Sequence, residues 1–450
     1  MTRAAHLTLL VTLASGVTLS AADWPNWRGP NGTGSTMESG LPVKWSGTEN
    51  VAWKAPIAGL GVSTPIVTGN HVIVTSQLGS STRRAGNHPR LVQGGDAAAA
   101  GERALGGGGG SDRAGQTDGR SYFLVEAFGR ADGRKLWEYR VEPSGTLPEV
   151  HDKHNMASSS PVTDGQLIYA WFATGQIVAL DLNGKRVWER HLGKEISPYD
   201  ITWGHASSPT LFEDSLLLLC DHTPASYLLA LDKRTGKEKW KASRGSGKSS
   251  YSTPLVVPGP NGPEVIVNSS DRVDAYNART GEPLWYTGGT NRFPVPSPLF
   301  SDGVIYMSRG YRSSPYMAVR PGGRGDITKT HVIWENTTGG PYISSLVHDN
   351  GLIYMATDVG AVTVVDAKDG SRVWQQRIDG VFSASPVAAD GKIYFVSENG
   401  ETIVVRAGRT PEVLSRNDLG ERQIASPAVS NGQIFIRTDD HLFAIGRPAK

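Results

Sequence analysis

Eight repeats of one punctuation pattern restrict this chain's fold more than any other feature. Seven copies open on Ser-Pro or Thr-Pro, at Pro65, Pro161, Pro209, Pro254, Pro298, Pro386 and Pro427, and the remaining copy has Leu346 in the proline position. A short apolar run follows each mark, often an Asp-Gly or Asn-Gly, then a second apolar run. Trp137, Trp188, Trp240, Trp285, Trp334 and Trp374 close six units, and Leu414 stands in once. Successive marks lie 40 to 48 residues apart, apart from one interval of 96. Four short strands at a period of about 40 to 50 residues predict a β-propeller.

The unit from Ser385 to Asn399 shows how the pattern becomes structure. Pro-Val-Ala-Ala, the turn at Asp390-Gly391 and Lys392 to Ser397 read as a hairpin, because Gly supplies the positive φ of a tight turn. Proline at the head of the first run fits a strand's first residue, where a missing N–H is least costly. The second half of each unit carries another hairpin, complete at Ala230 to Trp240, with Asp232 at the turn entrance and Gly236 in the left-handed position.

Trp53 precedes Pro65 by 12 residues, the same separation as in the later units, whereas the last unit ends at His441 to Ile445 without a Trp strand. The N-terminal strand 51–57 is therefore expected to pair with the C-terminal blade and close the ring. The predicted fold is all-β, an eight-bladed propeller of four-stranded antiparallel blades over residues 51–446. A chain of 450 residues exceeds the usual single core, but a propeller escapes that limit because each blade adds its own core.

Around this domain the sequence predicts a signal peptide at 1–22 cleaved before Asp23, an extended lead-in at 23–50, and a flexible Gly/Ala-rich insertion within blade one at 77–120. Export to a periplasm or outside the cell follows, with no transmembrane segment expected. Basic and acidic side chains number 45 and 43, so no nucleic-acid partner is indicated. Cys220 is the only cysteine, which excludes an intrachain disulfide. A monomer is expected.

The motif Ala-x-Asp-x-x-Thr-Gly-x-x-x-Trp at Ala230 to Trp240 resembles the tryptophan-docking repeat of pyrroloquinoline-quinone-type propellers, over about residues 51 to 446. That family includes quinone-dependent alcohol dehydrogenases and the outer-membrane assembly lipoprotein BamB, both eight-bladed. The opening Trp24-Pro-Asn-Trp27-Arg28-Gly-Pro-Asn-Gly32 also looks like the lead-in of secreted propellers of this kind. The resemblance implies pyrroloquinoline quinone with calcium as a possible cofactor. The chain departs from the dehydrogenases in lacking paired adjacent cysteines, and their calcium-binding Glu, Asn and Asp have no counterpart that can be mapped here.

Candidate binding residues come from excursions out of the repeat, because loops on a rigid scaffold concentrate recognition. Trp137 to Pro161 spans 24 residues and Trp188 to Pro209 spans 21, against 12 to 14 elsewhere, and with the insertion at 77–120 they should meet on one rim. They carry His151, Asp152, His154 and Asn155, then Tyr199, Asp200, Trp203 and His205, with Asp221 and His222 nearby. Such histidines serve as hydrogen-bonded loop residues, contact a ligand or, least of the three, bind a metal, and their spacing is not diagnostic of the last. A second group, Tyr251, Arg292, Phe293, Tyr342 and Phe382 with Arg309, Tyr311 and Arg312, either lines the channel mouth, where aromatic and arginine side chains suit an anionic or sugar-like ligand, or satisfies backbone carbonyls between blades. Arg324-Gly325-Asp326 is expected to form a turn in blade five.

Three functions fit these features: a scaffold binding an unknown small ligand or an envelope protein, a quinone-dependent oxidoreductase acting on alcohols or sugars, and an outer-membrane assembly scaffold. No nucleophile elbow, phosphate-loop lysine or paired-cysteine metal cluster is present.

Overall fold

The computed structural model describes residues 23–79, 83–84, 120–144, 147, 150–151, 153–311 and 313–447; the signal-peptide expectation at 1–22, most of the insertion, Asp152 and Arg312 lie outside them. Eight antiparallel sheets stand in a ring. Blade one runs Ile66–Thr68, His71–Leu78, Tyr122–Gly129 and Lys135–Val141 from the axis outward. Blades two to seven follow in chain order with the same connectivity. Blade eight takes Ala428–Ser430, Gln433–Arg437 and His441–Ile445 from the C-terminus and Val51–Pro56 from the N-terminus. In that last sheet Trp53 pairs with Ala444 and Lys54 with Phe443, so the two chain ends share one blade as the tryptophan spacing predicts.

The repeat motif now has a physical reading at each position. In blade three the Asp232 carboxylate accepts the N–H groups of Arg234 at 3.2 Å and Thr235 at 2.8 Å, which fixes the turn. Gly236 has φ +70°, and a Cβ there would come within 2.8 Å of the Trp188 ring of blade two. Glycine is thus required both by conformation and by the indole lying on it. The same indole donates its N–H to the Lys233 carbonyl at 2.9 Å. Trp137, Trp334 and Trp374 dock on their following blades in this way, onto Leu182, Ala367 and Gly408. Trp53 completes the series across the chain ends: its ring covers Gly133 of blade one and its N–H reaches the Arg130 carbonyl at 2.8 Å.

Blade four departs from the pattern. Gly325–Asp326 pairs in parallel with Trp285 and Tyr286 as a fifth, outermost strand, so the expected turn in blade five is a strand on blade four. Positive φ at Gly322, Gly323 and Gly325 lets the chain double back there. With its flank covered, Trp285 donates instead to Glu264 Oε2 at 2.7 Å within its own blade.

The residue before each proline builds a belt that the sequence did not foretell. Backbone N–H groups of Thr64, Ser160, Ser208, Thr253, Ser297, Ser345 and Ser385 each donate to the hydroxyl of the corresponding residue in the next blade, at 2.8 to 3.0 Å. The belt therefore runs from blade to blade around the axis. Thr64 Oγ1, next in line after Ser426, is buried and accepts no bond, so the circuit has one gap at the blade pair where the chain ends meet. Ser345→Ala should strand the buried Ser297 N–H and lower unfolding free energy by about 1–3 kcal/mol, whereas Thr64→Val, which removes a hydroxyl without a partner, should be close to neutral. Denaturant midpoints of the two variants check this, and equal shifts would count against the belt.

The lead-in crosses the face formed by the hairpin turns between first and second strands. Trp24 exchanges two backbone bonds with Val67 of blade one, the Pro25 carbonyl accepts from Thr163 of blade two, and Trp27 Nε1 donates to the belt hydroxyl of Ser297 at 3.2 Å. Arg28 is buried, with its guanidinium on the carbonyls of Thr33 and Leu346; burial pulls it down to about 9. Gly34 and Thr36 then pair with Ala388 of blade seven, and the Glu38 carboxylate accepts the Asn431 and Gly432 N–H groups of blade eight, each at 2.8 Å. Leu41 and Trp45 finish the run inside the apolar cluster that also holds Trp53, Phe435 and Phe443.

Candidate functional site

The opposite, upper face carries the turns between second and third strands and the connections between blades. All three excursions touch there through backbone: Arg83–Arg84 of the insertion pairs in parallel with Val150–His151, and the His151 N–H donates to the Trp203 carbonyl at 3.1 Å. From this junction an arc of aromatic rings runs around the mouth. His151 meets Trp203 edge-on at 5.3 Å, Trp203 meets Phe293 at 6.2 Å, Phe293 meets Tyr311 at 5.9 Å, and Tyr311 meets Tyr342 at 5.2 Å. Tyr251 backs the arc, its ring 6.5 Å from Phe293 and its hydroxyl accepting the Trp203 backbone N–H at 3.3 Å. Phe293 holds φ +53°, a strained value for a bulky residue, which turns its ring toward this arc. Arg292 is exposed beside it, its guanidinium 5.7 Å from the Phe293 ring. The rings of Trp203, Phe293, Tyr311 and Tyr342 are only partly covered, so the arc offers aromatic surface to solvent.

The far side of the mouth carries a cluster of ionisable groups that the sequence reading missed. Lys153, on the connection after blade one, reaches across to Glu398 of blade seven at 2.9 Å, and Ser383 also donates to that carboxylate. Asp358 of blade six lies beside this pair. Burial pushes its carboxyl up to about 7, with Glu398 adding to the rise and the Ile343 N–H and Lys153 opposing it. The signal was present in the repeat: Thr357-Asp358-Val-Gly360 and Ser397-Glu398-Asn-Gly400 place a carboxylate at the same turn position of consecutive blades.

Other expected site residues lie beneath the surface. His205 and His222 are buried, their rings joined by an Nδ1 to Nε2 hydrogen bond of 3.1 Å, with the Trp171 ring tilted 4.0 Å from His205 and the Tyr199 ring tilted 4.2 Å from His222. Tyr199 in turn sits on the Cys220 thiol at 3.3 Å. Burial holds His205 well below the usual histidine range and pulls His222 and His154 to about 4, so all three are neutral at pH 7. His154 Nδ1 bonds Ser158 Oγ, and Asn155 caps the same turn by accepting the Ala157 N–H at 2.9 Å. Arg309 is enclosed between blades four and five, where it binds Asn268 Oδ1 and the carbonyls of Ser269 and Gly289; an arginine so enclosed does not face the mouth. Phe382 is fully buried against Phe395 rather than at the mouth. Asp221 is tied to Arg244 through two bonds, at 2.7 and 3.1 Å, in a site closed to solvent.

The sequence model of the family described as outer membrane protein assembly factor BamB matches residues 36–222, 224–314, 324–410 and 360–447. The chain belongs to that family. Among relatives of this BamB-type propeller, the outer membrane protein assembly factor BamB of Yersinia pestis is 22% identical over 269 residues, which is 56% of this chain and 61% of the relative. That of Moranella endobia strain PCIT is 24% identical over 270 residues, 57% of this chain and 63% of the relative. The chain thus spans a little over three fifths of the curated relatives it matches. Solved structures share the fold at low identity. A europium-containing methanol dehydrogenase superposes with TM-score 0.63 at 14% identity, covering 92% of this chain and 89% of that one. The quinohemoprotein alcohol dehydrogenase of Comamonas testosteroni gives 0.59 at 12%, covering 95% and 81%. BamB of Moraxella catarrhalis gives 0.50 at 16%, covering 72% and 88%.

The residues present do not fit the quinone and calcium of the dehydrogenases. The one thiol is buried beneath Tyr199, no group of three His, Cys, Asp or Glu among the described residues is placed to hold a metal, and Glu398 is already paired with Lys153.

Proposed function

We propose that this propeller is a binding scaffold of a periplasmic or extracellular compartment, and that its upper rim holds a protein partner without chemistry of its own. The continuous arc from His151 to Tyr342 carries this reading: large, half-covered rings on rigid loops are what interface hot spots are made of. Opposite the arc, the Lys153–Glu398 pair and Asp358 supply polar contacts at the edge of such an interface, and with Arg309 enclosed, Arg292 is the arginine of the expected ligand group left exposed beside the arc. The relatives named as outer membrane assembly factors support an envelope protein as the partner. No helix among the described residues is long and apolar enough to cross a membrane.

The test is capture from intact envelopes with wild-type chain and with a Trp203→Ala/Tyr342→Ala variant. An envelope protein retained by the first and lost from the second, by about tenfold or more for two hot-spot rings, is the expected result. A partner held equally by both would refute the rim assignment. Thermal stabilisation by pyrroloquinoline quinone with calcium, accompanied by dye reduction in the presence of an alcohol, would overturn the scaffold reading altogether.

A further inference from the structure

The lower face carries a second site. We propose that the half of the lower channel mouth left open by the lead-in takes an extended, basic polypeptide segment of a partner, paired edge-on to the innermost strands of blades three to five. Three observations converge on that occupant. First, a groove of about 1130 Å³ lies between the lead-in and those strands, with Trp27, Phe212, Leu255 and Phe300 among its apolar walls. Second, its charged lining is of one sign: Glu38, Asp302 and Asp349 line it, and no Lys or Arg does. His348, the remaining titratable group, is pulled below the usual histidine range by burial and donates no charge at neutral pH. The Asp302 side chain is 75% exposed, so its carboxylate reaches solvent at the groove even though one oxygen lies 3.5 Å from His348 Nε2.

Third, the chain itself shows the mode of binding. The lead-in pairs edge-on with the innermost strands at Val67 of blade one and Ala388 of blade seven, and caps the turn of blade eight. Among the described residues, no backbone hydrogen bond from outside its own blade reaches Thr210–Phe212, Leu255–Gly259 or Leu299–Ser301. These strands present the same kind of edge that the lead-in has already used elsewhere in the ring. Strand addition supplies main-chain bonds, and alternate side chains of the incoming segment then meet the apolar wall and the carboxylates. Acidic lining selects a basic segment over an acidic one through like-charge repulsion.

The experiment uses the full chain and two labelled synthetic peptides of about nine residues, long enough for one strand, alternating valine with lysine or valine with glutamate. Met37, at the lip of the groove and 99% exposed, is replaced by cysteine; with Cys220 buried, it is the one thiol open to a fluorophore among the described residues. The lysine peptide should bind with an anisotropy change and alter the emission of the Met37→Cys fluorophore, and the glutamate peptide should bind at least about tenfold more weakly. High salt should weaken the lysine peptide. Asp302→Asn/Asp349→Asn, which keeps a residue tolerant of the left-handed turn at position 302, should reduce its affinity by about fivefold to tenfold. Equal binding of the two peptides, insensitivity to the double variant, or binding that leaves the lip fluorophore unchanged would each overturn the proposal. None of these outcomes depends on the upper rim.

Discussion

Trp53→Ala is expected to lower the unfolding free energy by about 3–5 kcal/mol, the usual cost of deleting a buried indole. Trp53 is 8% exposed, lies over Gly133, donates to the Arg130 carbonyl and stands 5.9 Å from the Phe435 ring. It sits on the strand through which the N-terminus enters blade eight, so its removal weakens both the docking of blade eight on blade one and the sheet shared by the chain ends. Guanidinium titration followed by circular dichroism measures the loss, and dye binding reports whether the surface of Leu442 and Phe443 becomes exposed. A comparable substitution, Trp374→Ala, removes the same kind of contact inside the continuous part of the ring. If Trp53→Ala leaves stability unchanged while Trp374→Ala does not, the N-terminal strand does not close the ring in solution.

The second large effect is a loss of stability on acidification. His205 and His222 form a buried pair with half-buried His154 against it, His151 beside His154, Asp221 next to His222, and Tyr199, Cys220 and Trp171 packed around them. In the unfolded chain these histidines protonate near 6.5, whereas in the ring His222 protonates only near 4. Between those values the unfolded state binds more protons, so stability is complete above about pH 6.5 and falls as the pH drops toward 4. A shift of this size corresponds to about 3 kcal/mol for His222 alone. Denaturant midpoints at several pH values between 7 and 4 measure the slope in wild type and in a His205→Gln/His222→Gln variant. The variant should show a flatter dependence whatever its absolute stability, and an unchanged slope would show that these rings do not stay neutral.

The ring itself was legible in the sequence because a propeller writes its architecture once per blade. Proline heads, Asp-Gly turns and docking tryptophans are local requirements, and the offset of Trp53 from Pro65 carries the closure. The role of the residue before each proline was hidden, because a hydroxyl bonding the next blade's backbone acts across 40 or more residues and leaves no local trace. The rim was partly legible. Long connections marked where side chains gather, but whether a side chain faces the mouth depends on burial that spacing does not encode. Arg309 and Arg292 are alike as residue types; one is enclosed by carbonyls and the other is exposed. Lys153, Asp358 and Glu398 meet only because distant blades curve round to face each other.

The lead-in has a consequence for the order of assembly. Residues 23–45 emerge from synthesis before any blade exists, yet their anchors include Leu346, Ala388, Asn417 and Gly432, in blades six to eight. A segment made before every blade therefore cannot be fully seated until the last one forms, a stopper that waits for its bottle. Trp24 and Trp27 find partners on blades one and five, but Trp45, which bonds Asn417 and packs with Phe435 and Phe443, has no permanent home until blades seven and eight are made, which makes it a natural handle for whatever escorts the nascent polypeptide.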